Sequence, residues 1–121
     1  MGPIKRYPAR MIQIFGTPGS RDTQKAVRFF KERRVPFQFI DLSQKAMSRG
    51  ELASVARSVS PDRLLDRESA LYKKMGLAYQ EYDPVEKLLE QPLLFVMPVV
   101  REGNKAAVGP AVDEWLSWLG K

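Results

Sequence analysis

The chain is 121 residues long, the size of one domain, with 44% hydrophobic and 28% charged residues and a net charge of +6. It contains no cysteine and no histidine. Their absence excludes disulfides, thiolate nucleophiles, Cys/His zinc sites and every Ser-His-Asp or Cys-His catalytic arrangement.

Residues 1–10 are basic but lack the apolar core of a secretory signal. They read as an arm ahead of a single domain over 11–121, and a cytoplasmic location is the default. Met11, Ile12, Ile14 and Phe15 predict a buried strand, broken by Gly16-Thr17-Pro18-Gly19. Ser20 is placed to cap a helix running to Arg34, with Ala26, Val27 and Phe30, joined by Phe29, as its apolar stripe. A strand, a tight loop and a helix start gather backbone N–H donors at the positive end of a helix dipole. After Pro36 stops the helix, Phe37, Phe39 and Ile40 predict a second strand. The opening is thus a βαβ unit, with parallel strands and a right-handed crossover.

A helical middle follows. Ser48 and Glu51 form a capping box that opens a helix burying Leu52, Val55, Ala56 and Val59. Ser60-Pro61 opens another turn, and Leu64, Leu65, Leu71, Tyr72 and Met75 carry the apolar pattern to Gly76, a good residue for ending a helix. Asp83-Pro84 starts a third short helix that buries Val85, Leu88 and Leu89.

The end returns to sheet. Leu93 to Val96 is apolar, and Met97-Pro98-Val99-Val100 reads as a strand entered through a proline. Glu102-Gly103-Asn104 is a hairpin turn and Lys105 to Val108 its second strand. Gly109-Pro110 opens the last helix, where Val112, Trp115, Leu116 and Leu119 repeat at helical spacing and Trp118 is expected to be partly exposed. The economical packing is an α/β fold, a four-stranded mixed sheet flanked by helices.

This order resembles the thioredoxin fold. The helical insert between strands 2 and 3 resembles the arsenate reductase (ArsC) family, which includes the Spx transcriptional regulators. Four segments carry the resemblance: Gly16 to Ser20 with Lys25-Ala26; Leu64 to Arg67 with Leu71 to Leu77; Leu88 to Leu94 with Met97 to Val100; and Val108-Gly109. It implies that Met97-Pro98 is cis and faces the first-helix loop, where flanking backbone would pair with a bound peptide or glutathione. It also puts Ser20 at the position of the family's reactive cysteine and Thr23 at the second cysteine of Spx-type members. Of the family's oxyanion-binding arginines, the one before the proline is replaced by Met97, and none stands near Val108-Gly109. Arg67 is the nearest candidate for a third. A serine hydroxyl does no thiol redox chemistry, and no histidine is present to act as the base that would make it a nucleophile.

The expectation is therefore no catalytic residue, no metal and no cofactor. Thr17, Ser20, Arg21, Thr23, Arg67, Met97 and Pro98 are the candidate ligand-binding residues. Three of them have a plainer reading: Ser20 as a helix cap, Arg67 as a solvated side chain, Pro98 as a tight corner. Lys25, Arg28, Lys31, Arg33 and Arg34 crowd one helix, but no aromatics interleave them to stack bases, so nucleic acid is not expected, nor is a membrane. The resemblance implies a redox-inactive binding or regulatory module making an Spx-like protein contact, with RNA polymerase as the partner by analogy. Two alternatives remain: a protein that binds glutathione or a small anion through Ser20, and an arsenate-reductase-like oxidoreductase whose natural residue at position 20 is cysteine.

Overall fold

A computed structural model gives the fold and describes residues 11–120. The arm read over residues 1–10 lies outside the described residues. Strands β1 (Ile12–Gly16) and β2 (Phe37–Asp41) are parallel, pairing Ile12 with Phe37 through Gly16 with Asp41, and helix α1 (Arg21–Glu32) joins them. The other edge of β1 pairs antiparallel with β3 (Val99–Glu102), which turns through Gly103 at φ +60 into β4 (Lys105–Val108). The sheet order β2-β1-β3-β4 is the four-stranded mixed sheet expected of a thioredoxin-like fold.

Strand alternation sends side chains into two cores, one on each face of this sheet. Ile12 and Ile14, with Val100 and Ala107, meet α1 and the last helix, α6 (Val112–Trp118). There Phe29, Phe30 and Trp115 pack ring on ring, with centroids 4.9 to 5.6 Å apart. Phe15 and Val99 point the other way, into a core completed by the insert. The insert comprises α2 (Arg49–Ala56), α3 (Pro61–Leu64), α4 (Ala70–Lys74), α5 (Pro84–Glu90) and 3-10 turns at Leu77–Tyr79 and Pro92–Leu94. Two of its caps are ones the sequence announces. Ser48 and Glu51 form the reciprocal box on α2, and Asp83 accepts from the Val85 N–H. Gly76, at φ +67, supplies the left-handed residue past the end of α4 that L side chains rarely adopt.

Several elements depart from expectation. Helix α1 ends at Glu32, short of Arg34, because Arg34 turns to φ +59 and the Val35 N–H reaches back 3.0 Å to the Phe30 carbonyl. The run from Ser60 to Met75 is two short helices, broken where Leu65 becomes extended and bridges Phe95. Two backbone bonds hold that bridge: Asp66 N–H to the Leu94 carbonyl at 2.8 Å, and Val96 N–H to the Leu64 carbonyl at 2.7 Å. Leu93 to Val96 accordingly forms the end of a 3-10 turn and this bridge. Val59 is buried beyond the end of α2. Trp118, expected to be partly exposed, is buried, whereas Val112 is 42% exposed. Helix α6 starts at Val112, so that residue sits at the mouth of the helix and the core takes Trp115 and Trp118, one turn apart. The Met97-Pro98 peptide is cis, as the resemblance implies.

Candidate functional site

The loop from β1 into α1 closes on itself. The Ser20 N–H donates to the Thr17 carbonyl at 3.1 Å, and the Thr23 N–H donates to Ser20 Oγ at 3.2 Å. The Gln24 side chain reaches back 3.0 Å to the Pro18 carbonyl. Ser20 is thus an N-cap, satisfying one of the helix's orphan donors. Across the corner, Thr17 Oγ1 lies 3.7 Å from Met97 Sδ, and the Pro98 carbonyl accepts from the Gly109 N–H at 2.8 Å. The structure therefore brings Thr17, Ser20, Met97 and Pro98 to one corner between the first helix and the entry to β3.

The other expected residues stand differently. Arg21 is exposed at the first position of α1. Thr23 is fully buried, its Oγ1 is without a hydrogen-bond partner, and its side chain packs directly against Gly16. A β-carbon at Gly16 would lie 2.7 Å from Thr23 Cγ2, closer than real contacts allow, so the glycine lets α1 approach β1. Arg67 belongs to another place altogether. Its guanidinium donates to the Asp62 carbonyl and approaches Asp62 Oδ1, both at 3.3 Å. With Tyr72, Lys73, Gly76, Ala78 and Tyr79 it lines a cavity of about 410 Å³, to which none of the Ser20 corner residues contributes.

Beside Arg67 the Tyr72 and Tyr82 hydroxyls are 3.1 Å apart. That hydrogen bond, helped by burial, pushes the Tyr82 hydroxyl above its ordinary pKa, with Arg67 pulling the other way. Arg67 is itself held more firmly protonated, chiefly by Tyr72. A second hollow, of about 240 Å³, runs between α1 and α6 and is lined by Lys25, Arg28, Phe29, Glu32, Arg33, Pro110, Val112 and Trp115. There the Arg33 guanidinium lies 3.8 Å over the Phe29 ring, a cation–π contact. Sequence reasoning missed both hollows. The basic run on α1 and the exposed first residue of α6 carry a faint signal for the second. For the first, Arg67 is the one residue already on the candidate list, and Tyr72 and Tyr82 beside it meet only through the fold of the insert. Among the described residues no three of His, Cys, Asp and Glu gather as a metal site would need, and no helix is long and apolar enough to cross a membrane.

Neither a protein-family model nor a curated protein matches the sequence. Solved structures do resemble the fold. The YFFB (PA3664) protein superposes with a TM-score of 0.80 at 21% identity, covering 90% of this chain and 99% of its own. A putative ArsC family related protein from Bacteroides fragilis gives 0.80 at 18% identity, covering 92% of this chain and 99% of its own. An arsenate reductase from Vibrio cholerae gives 0.77 at 17% identity, covering 91% and 98%. The chain thus has the architecture of arsenate reductases and ArsC-related proteins over almost its whole described length.

Proposed function

We propose that the chain is an arsenate-reductase-like protein without thiol chemistry that works by binding a protein partner. One observation carries this reading. At the position where the resemblance puts the reactive cysteine, Ser20 Oγ serves as a helix cap, accepting from the Thr23 N–H at 3.2 Å. A neutral serine becomes a nucleophile only with a base beside it, and the chain has no histidine to supply one. Arg67, the remaining candidate for holding an oxyanion, is engaged with Asp62 at a separate cavity.

The partner implied by the likeness to Spx regulators is RNA polymerase, and the proposed setting is the cytoplasm. The hollow between α1 and α6 supports a protein contact. Lys25, Arg28 and Arg33 surround an apolar floor of Phe29, Val112 and Trp115, which suits an acidic segment carrying an apolar anchor. Binding of the purified chain to immobilised bacterial RNA polymerase tests it. The expected result is saturable binding that weakens with salt and is lost in Arg28→Glu. No binding, or binding indifferent to Arg28→Glu, would remove this partner and this surface.

A second reading rests on the corner itself, where Thr17, Ser20 and Met97 converge with backbone donors of the α1 start. Such a corner could take glutathione or a small anion. Calorimetry with glutathione decides it: absence of heat at millimolar ligand removes the idea.

A further inference from the structure

The insert carries a second hollow with a different chemistry. We propose that the cavity between α4 and the Leu77–Tyr79 turn binds a mononucleotide-like ligand, an aromatic ring bearing a phosphate. Its volume of about 410 Å³ lies within the range of small-ligand pockets, roughly 300–1,000 Å³, and is more than a lone inorganic anion needs.

Its walls provide the two kinds of group such a ligand requires. Tyr79 is 93% exposed, the most exposed large hydrophobic side chain among the described residues. It nevertheless stands on a braced turn, since Gln80 Nε2 donates 2.9 Å to the Met75 carbonyl and the Tyr79 N–H donates 3.1 Å to the Gly76 carbonyl. A ring presented on a fixed backbone with little covering it is a stacking platform, and every base has a face to stack on it. Arg67 and Lys73 supply the charge. The guanidinium fork matches phosphate oxygens, and the ammonium adds a point charge.

Lys73 is answered by the exposed Glu68 at 3.7 Å, and Arg67 by the exposed Asp62, through its side chain and its carbonyl at 3.3 Å, with the Tyr72 hydroxyl beside it. Pairs of this kind contribute little, so a phosphate can take their place. Below them the Tyr72–Tyr82 hydroxyl pair, 3.1 Å apart, offers a partly buried donor. Gly76 and Ala78 keep the remaining wall free of bulky side chains. The cavity shares no residue with the Ser20 corner or with the α1–α6 hollow, so the proposal stands apart from the protein-binding reading.

Titration of the 15N-labelled chain with adenosine monophosphate, adenosine and inorganic phosphate, followed by NMR, tests it. Adenosine monophosphate is expected to shift the amides of Tyr72, Lys73, Gly76 and Ala78 and to bind at least about ten-fold more tightly than either fragment. Tyr79→Ala is expected to weaken it about five-fold or more, and Arg67→Gln about ten-fold. Both side chains are exposed, so the variants should keep the wild-type spectrum; Lys73→Gln replaces Arg67→Gln if the latter perturbs the fold. Three results each overturn the proposal: no shifts at millimolar nucleotide, shifts centred on Thr17 to Thr23, or inorganic phosphate binding as tightly as the nucleotide.

Discussion

The Ser20 corner and the insert cavity both gather polar side chains on the same small scaffold, yet they are finished in different ways. At the corner the polar groups are answered from within the chain. Ser20 Oγ caps the Thr23 N–H, the Gln24 amide takes the Pro18 carbonyl, and the Thr17 hydroxyl turns to Met97. At the cavity, Lys73 is met by the exposed Glu68, Arg67 by the exposed Asp62 with Tyr72 beside it, and Tyr79 stands almost wholly in solvent. Groups satisfied internally hold a fold together, whereas groups satisfied by loosely held surface partners remain available to a ligand. On the proposed reading, the place where the resemblance expects chemistry is structural, and the insert is the surface proposed for a ligand.

That contrast can be broken first at Gly16. A methyl there meets the Thr23 side chain, with Cγ2 at 2.7 Å, so Gly16→Ala should cost about 1–3 kcal/mol of stability in chemical denaturation. Pairing it with Thr23→Ala should recover much of the loss, and no recovery would mean the collision is not the cause. The cap comes next. Ser20→Ala should cost about 1 kcal/mol, while Ser20→Asp, an equally good cap with a charge suited to the helix start, should cost little. If both variants proved equally unstable, capping would not be what Ser20 does.

Thr23→Val is smaller and of opposite sign. It removes a buried hydroxyl oxygen that lacks a partner and keeps the shape, so stability should hold or rise by up to about 1 kcal/mol. The smallest effect is electrostatic. The Arg49 guanidinium, 2.7 Å from Glu86, holds that carboxyl below its ordinary value of 4.5. A carboxyl with a lowered folded pKa contributes stability that is present above its unfolded value and fades as pH falls through the folded one. Arg49→Met should therefore raise the Glu86 titration midpoint seen by NMR toward the ordinary value, with hardly any change in stability at neutral pH, since both side chains are exposed.

What was legible in the sequence was what is local. The alternation of Ile12 and Ile14, the stripe of Ala26 and Phe30, the Ser48–Glu51 box and the Gly103 turn each declare themselves within one element, and all are present. The misreadings are nonlocal. Leu65 leaves its helix because its neighbours hydrogen-bond around Phe95, thirty residues later, a pairing no window of sequence contains. Trp118 is buried and Val112 exposed because α6 begins at Val112, which leaves that residue at the mouth of the helix and turns Trp115 and Trp118 into the core. The site divides the same way. Ser20 announces its cap through its neighbours, but Arg67 is assigned to the insert cavity by Asp62, Tyr72 and Tyr82, which only the folded insert brings around it.

The central claim is that position 20 is a helix cap in a protein without thiol redox chemistry. Arsenate-dependent consumption of NADPH, coupled through glutathione and glutaredoxin, measures this most directly on the purified chain and its Ser20→Ala variant. The account predicts no turnover above the protein-free blank for either. Turnover by the natural chain that Ser20→Ala abolishes would contradict it.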